Sequence, residues 1–99
     1  MRAIYKYIIY PSKPYIEAPI ERILTAQCQN DRLCVWAEVD TEKPNRYFYI
    51  CALGTGWPLD NMKHFDKMIY ISTAQQFNGE LIWHVYYLEL NGPMEEGAE

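Results

Sequence analysis

Histidine is scarce in this chain, with only two in 99 residues, and its three cysteines include no C-x-x-C pair. His64 and His84 are then the only side chains whose ordinary pKa suits a base near neutral pH, and neither lies in a recognisable catalytic motif. Catalysis is not expected, and no residue is assigned to it. Cys28, Cys34 and Cys51 are an odd number at unrelated spacings, which fits free, buried thiols in a reducing cytoplasm better than a disulfide framework. The sequence His64-Phe65-Asp66 sets two metal-ligand types in one loop with no third spaced to join them, so neither a metal nor a cofactor is expected.

A basic surplus is also missing. The formal charge is −4, and since Glu95, Glu96 and Glu99 belong to the last six residues, ten of the 13 acids face nine bases in the rest of the chain. Duplex nucleic acid, which demands a clustered basic surface, is an unexpected partner. No apolar run approaches the roughly 18 residues of a membrane-spanning helix, and no basic segment followed by an apolar one opens the chain. The expectation is a protein that stays in the cytoplasm where it is made and has no membrane partner.

What the chain does have is apolar and aromatic material, 49% and 15% of its residues, with nine tyrosines. That is enough for one core without staples. A single β-domain over residues 1–92 followed by an acidic tail over 93–99 is the expected organisation.

Period-two alternation marks a strand over Ala3 to Tyr10, ended by Pro11 and Pro14, and a short edge strand over Tyr15 to Glu17. Between Arg22 and Val39 the pair Asn30-Asp31 offers the residues that a two-residue hairpin turn requires. That turn pairs Gln29 with Arg32, Cys28 with Leu33, Ala26 with Val35 and Leu24 with Ala37, which gives one apolar face. It turns Cys28 and Cys34 to opposite sides and sets Trp36 across from Thr25. Arg46 to Leu53 reads as a strand with Tyr47, Tyr49 and Cys51 on one side and Phe48, Ile50 and Ala52 on the other. Asp60 is placed to cap a short helical turn through Met62 and Phe65. Strands over Lys67 to Phe77 and Glu80 to Leu90 are joined by Asn78-Gly79, a strong hairpin signal, which pairs Ser72 with Val85, Thr73 with His84 and Ala74 with Trp83. The predicted fold is all-β: a small antiparallel barrel or sandwich built from hairpins, with at most one short helical turn.

Gly54-Thr55-Gly56-Trp57-Pro58 interrupts the pattern. Glycines let backbone N–H groups approach a ligand closely, Thr55 adds a hydroxyl, and Trp57 offers a face for stacking. No Gly-x-x-x-x-Gly-Lys-Ser/Thr pattern is present, so the loop is not a P-loop. Its alternative role is structural, turning the chain while Trp57 plugs one end of the sheet. Gly54, Thr55, Gly56 and Trp57, with Trp36 and His84 as neighbouring aromatics, form the candidate ligand site. The tyrosines exceed what so small a core encloses, so Tyr5, Tyr7, Tyr47, Tyr49 and Tyr86 are candidates for a subunit or partner interface. A homo-oligomer is expected.

Four blocks stand out together: Tyr5-Lys6-Tyr7, Trp36-Ala37-Glu38-Val39-Asp40, Gly54-Thr55-Gly56-Trp57-Pro58 and Trp83-His84-Val85-Tyr86. Their order and spacing resemble those of an uncharacterised family of small bacteriophage and prophage proteins, over about residues 3 to 88. Trp57 stands where the family pattern has a smaller or polar residue, and the acidic tail looks like an addition. The resemblance implies a compact β-fold of viral origin and confers no activity of its own. It points to an accessory protein in the host cytoplasm that counters host defence, by sequestering a nucleotide-derived signal or by binding and inhibiting a host protein. A minor virion component is a further alternative.

Overall fold

The computed structural model describes residues 1–93, so all but the first residue of the expected tail lies outside the described residues. Seven strands follow in chain order: β1 (Arg2–Ile8), β2 (Tyr15–Ala18), β3 (Ile20–Gln29), β4 (Arg32–Asp40), β5 (Arg46–Gly54), β6 (Ile69–Gln76) and β7 (Leu81–Leu90). They form two antiparallel sheets, ordered β1-β4-β3 and β2-β5-β7-β6. The all-β expectation is met, and both sheets are open, with β1, β3, β2 and β6 at their edges.

One core is shared by both sheets because alternate residues of each turn inward. On β4 these are Leu33, Val35, Ala37 and Val39, and on β5 they are Phe48, Ile50 and Ala52. Tyr47, Tyr49 and Cys51 take the opposite side of β5, as the alternation requires. Among the described residues no polar or charged residue is fully buried and no buried side-chain N or O lacks a partner. All three cysteines are free, with Cys28 packed against the core and Cys34 on the neighbouring strand's other face.

Pro19 is the corner where the chain leaves one sheet for the other. β2 pairs with β5, while β3, starting one residue later, pairs with β4. The corner is held by Asp40, whose N–H donates to the Pro19 carbonyl at 3.1 Å, and by Arg46, whose Nη1 donates to the Ile20 carbonyl at 2.8 Å. Arg46 also grips both carboxylate oxygens of Glu89, at 2.8 and 2.7 Å.

At the first hairpin Asn30 and Asp31 both have positive φ, 52° and 58°, as a type I′ turn demands. Gln29↔Arg32, Cys28↔Leu33, Ala26↔Val35 and Thr25↔Trp36 pair as expected. The pairing of Leu24 with Ala37 is corrected: a bulge between Ile23 and Thr25 sets Ile23 opposite Ala37. A second irregularity follows between Ile20 and Arg22. Bulges sharpen local twist, and here they bend β3 towards the Pro19 corner.

The second hairpin keeps every expected pair, Ser72↔Val85, Thr73↔His84 and Ala74↔Trp83, around a turn with φ 56° at Asn78 and 90° at Gly79. Phe77 just before it has φ 53°, a rare backbone state for a bulky residue. The helical turn is displaced from its expected place to a 3₁₀ turn over Phe65–Lys67, preceded by His64 with φ 63° and no side-chain cap, so Asp60 caps nothing there.

Candidate functional site

Both hairpin tips and the Gly54–Pro58 loop meet at one end of the molecule. Asp31 links the tips: its Oδ1 accepts the Phe77 N–H at 3.1 Å and its backbone carbonyl accepts from Gln76 Nε2 at 2.7 Å. Gln76 Oε1 in turn accepts the Trp83 indole N–H at 2.9 Å. The amide of Gln76 is thereby used at both ends, and the strained backbone at Phe77 is held by its neighbours.

The Gly54–Pro58 loop folds back on itself. The Trp57 N–H donates to the Gly54 carbonyl at 3.2 Å, and Gly56 occupies φ 88°, where only glycine is unstrained. A Cβ on Gly54 would lie 2.7 Å from Trp57 Cε2 and Nε1, so the indole rests directly on the Gly54 backbone. Its edge-to-face partner is Trp83, with ring centroids 5.6 Å apart and planes at 82°. Trp57 nevertheless remains 54% exposed.

Beside this indole pair lies a cleft of about 580 Å³. Trp57, Trp83, Tyr10, Ile50 and Leu33 give it apolar and aromatic walls, and Arg32, Asp31 and Gln76 supply polar groups. Its size and its mainly apolar lining with few polar groups suit a small organic ligand. The sequence did not single out Arg32 or Gln76, because they reach this end from separate hairpins.

On the outer face of the four-stranded sheet, Thr55 Oγ1 lies 2.7 Å from His84 Nε2, and Thr73 Oγ1 lies 3.2 Å from His84 Nδ1. Tyr70 OH continues the chain to Thr73 Oγ1 at 2.7 Å. Neutral imidazole has one donor and one acceptor nitrogen, and both are taken by hydroxyls. Thr73 meets His84 as expected, while the Thr55 contact, bridging the loop to β7, was not foreseen. The arrangement has the outline of a hydroxyl–imidazole dyad, but its third member is a hydroxyl that offers an imidazolium no negative charge.

The structure therefore gathers Gly54, Thr55, Gly56, Trp57 and His84 around one loop. Trp36 does not join them: it lies on the other sheet, facing outward between Lys6 of β1 and Thr25 of β3. The five candidate interface tyrosines also divide. Tyr5 and Tyr7 lie opposite Ala37 and Val35 on the inner side of edge strand β1, whereas Tyr47, Tyr49 and Tyr86 lie on the outer face of the four-stranded sheet. Tyr86 is flanked edge-on by Phe65 and Tyr70, at 5.0 and 5.4 Å, and Tyr49 packs on Tyr15 at 5.5 Å. Burial, then neighbouring Cys51 and Tyr15, push the Tyr49 phenol up to about 12. Burial likewise raises the Cys28 and Cys51 thiols.

Among the described residues no group of three or more His, Cys, Asp or Glu is placed to hold a metal ion, and no helix is long and apolar enough to cross a membrane.

The chain belongs to a family described as a domain of unknown function, DUF7352, whose model matches residues 1–95. No curated protein and no solved structure matches it.

Proposed function

We propose that this DUF7352 protein is a noncatalytic binding protein of bacteriophage type, which counters host defence by sequestering a nucleotide-derived signal in the cleft beside Trp57. The observation that carries this reading is the Trp57 indole, 54% exposed yet fixed in orientation against Gly54 and Trp83. An aromatic face held in place and left open to solvent suits a stacked base, which is worth about 1–3 kcal/mol. Tyr10, 50% exposed, lines the same cleft, and Arg32 brings a guanidinium suited to phosphate. Phage origin rests on the four motif blocks, and a host-cytoplasmic location is supported by the free cysteines.

A noncatalytic role is supported by His84, whose two ring nitrogens are both occupied. The reading includes a homo-oligomer, supported by the half-exposed Tyr70, which packs beside the candidate interface residue Tyr86 on the outer face of the four-stranded sheet. Self-pairing through β1 is disfavoured, because an antiparallel pair centred on Ile4 would set Arg2 against Lys6.

Calorimetric titration with a panel of cyclic and linear nucleotides tests the reading. Binding by at least one of them, weakened tenfold or more by Trp57→Ala and by Arg32→Ala, is expected. Absence of binding across the panel overturns it. A second reading, an inhibitor of a host protein, draws on a different observation, the edge of β1, unpaired among the described residues.

A further inference from the structure

The four sheet edges are not equally protected. β3 and β6 are joined through Ser72, whose hydroxyl accepts the Ala26 N–H at 2.9 Å and donates to the Ala26 carbonyl at 2.6 Å. Both strands also carry bulges. β2 has four residues and is bracketed by Pro14 and Pro19. β1 has seven residues with no proline and no bulge, so it lacks most of the devices that blunt an exposed edge.

The backbone groups it leaves free among the described residues can be identified. Ile9 N–H donates to the Leu33 carbonyl at 2.8 Å and the Met1 carbonyl accepts from Thr41 N–H at 2.9 Å, so odd-numbered residues direct their backbone groups to β4 and its continuation. By antiparallel alternation, Arg2, Ile4, Lys6 and Ile8 direct theirs away from it. Beyond this edge a cleft of about 960 Å³ opens between β1 and β2, which diverge into different sheets from the Tyr10–Lys13 turn. Tyr7, Ile16, Phe48 and Leu90 are among its lining residues, so side chains entering from an added strand meet apolar and aromatic surface.

Charge selects the occupant. β1 contains Arg2 and Lys6 and no acid; Lys6 and Lys13 outnumber Glu17 among the charged residues that line the cleft, and Arg2 lies at the far end of the strand opposite Asp40 of β4. The Lys6 ammonium rests on Gln29 Oε1, a neutral partner that a carboxylate would replace. A second copy of β1 would bring like charges together.

We infer that the free edge of β1 receives an extended acidic segment of a partner protein by strand addition. Carboxylates four positions apart face Arg2 and Lys6, and bulky apolar residues on the intervening inward positions enter the cleft. This rests on the host-protein reading and gives it a surface and a partner chemistry; the nucleotide reading does not depend on it. Strand addition draws affinity from main-chain hydrogen bonds and specificity from alternate side chains.

The probe is a blocked fluorescent seven-residue peptide, with glutamate at the second and sixth positions, bulky apolar residues at the third and fifth, and threonine elsewhere. Anisotropy titration of the full chain is expected to show binding at least tenfold tighter than for the same peptide with lysines replacing the glutamates. Lys6→Glu should abolish that preference, and Arg2→Glu combined with Lys6→Glu should reverse it. Ile4→Pro, which removes an outward N–H and no bond to β4, should weaken binding tenfold or more at an unchanged thermal midpoint. N-methylation of alternate peptide nitrogens should do the same without altering the protein. No binding, equal binding of acidic and basic peptides, or indifference to both backbone changes overturns the inference. So does binding that appears only after residues 94–99 are removed, or a dimer that Ile4→Pro dissolves, since each assigns the edge to this chain itself. A host protein captured equally by wild type and Ile4→Pro overturns the edge assignment and leaves the inhibitor reading standing.

Discussion

The hydroxyl of Ser72 sits between the N–H and the carbonyl of Ala26, at 2.9 and 2.6 Å, and does for the edge of β3 what a neighbouring strand would do. Ala26 is fully buried, so its backbone groups have no recourse to water. Removing one partner from a buried hydrogen bond costs about 1–3 kcal/mol. Ser72→Ala is accordingly expected to lower stability by that amount, seen as a reduced urea midpoint at unchanged slope. A loss under half a kilocalorie, about the scatter of a neutral surface change, would show that Ser72 does not seal the two sheets.

The two loop glycines should respond differently to alanine. At Gly54 a methyl would meet the Trp57 ring at 2.7 Å, so Gly54→Ala displaces the indole and abolishes its near-ultraviolet circular dichroism coupling with Trp83. At Gly56 there is open space but φ is 88°, so Gly56→Ala costs about 1 kcal/mol of backbone strain while the indole pair survives. Identical spectra for the two variants would contradict this division of roles.

Arg46 holds the Glu89 carboxyl below its usual range, chiefly through the hydrogen bond between them. A depressed carboxyl pKa stabilises the fold above the unfolded value and loses that contribution as pH falls through the folded one. Both side chains are about two-fifths exposed, so the contribution is small, about 0.2–1 kcal/mol. Glu89→Gln should lower stability at pH 7 and make no difference at pH 2, as followed by urea unfolding at both values.

Tyr49 carries the opposite signature at alkaline pH. Its phenol is pushed up to about 12, first by burial, so the folded chain keeps a proton that the unfolded chain releases near 10. Stability from this group is complete below pH 10 and is lost as pH rises towards 12. Absorbance titration should show late tyrosinate formation, and Tyr49→Phe should diminish it, leaving the contribution of Tyr7, which burial also raises. A titration unchanged by Tyr49→Phe would refute the assignment.

Local chemistry made much of the fold readable, and long-range geometry hid the rest. Asn78-Gly79 and Asn30-Asp31 fix their turns, and turn type sets register, so Thr73↔His84 and Ala26↔Val35 follow from the sequence. Leu24 did not follow, because the bulge beside it serves a corner at Pro19 that depends on which strands pair with β2 and β3. Alternation correctly turned Trp36 away from the Ala37 face, but it carries no information on which sheet holds a strand, and Trp36 was grouped with a loop on the other sheet. The Thr55–His84 and Asp31–Phe77 bonds join residues brought together only by tertiary packing.

Native mass spectrometry of the chain purified from bacterial cytosol tests nucleotide sequestration most directly. A retained nucleotide-sized mass that is absent from the Trp57→Ala protein is the predicted result. A ligand-free species that gains no mass when any of the nucleotide panel is added would contradict it.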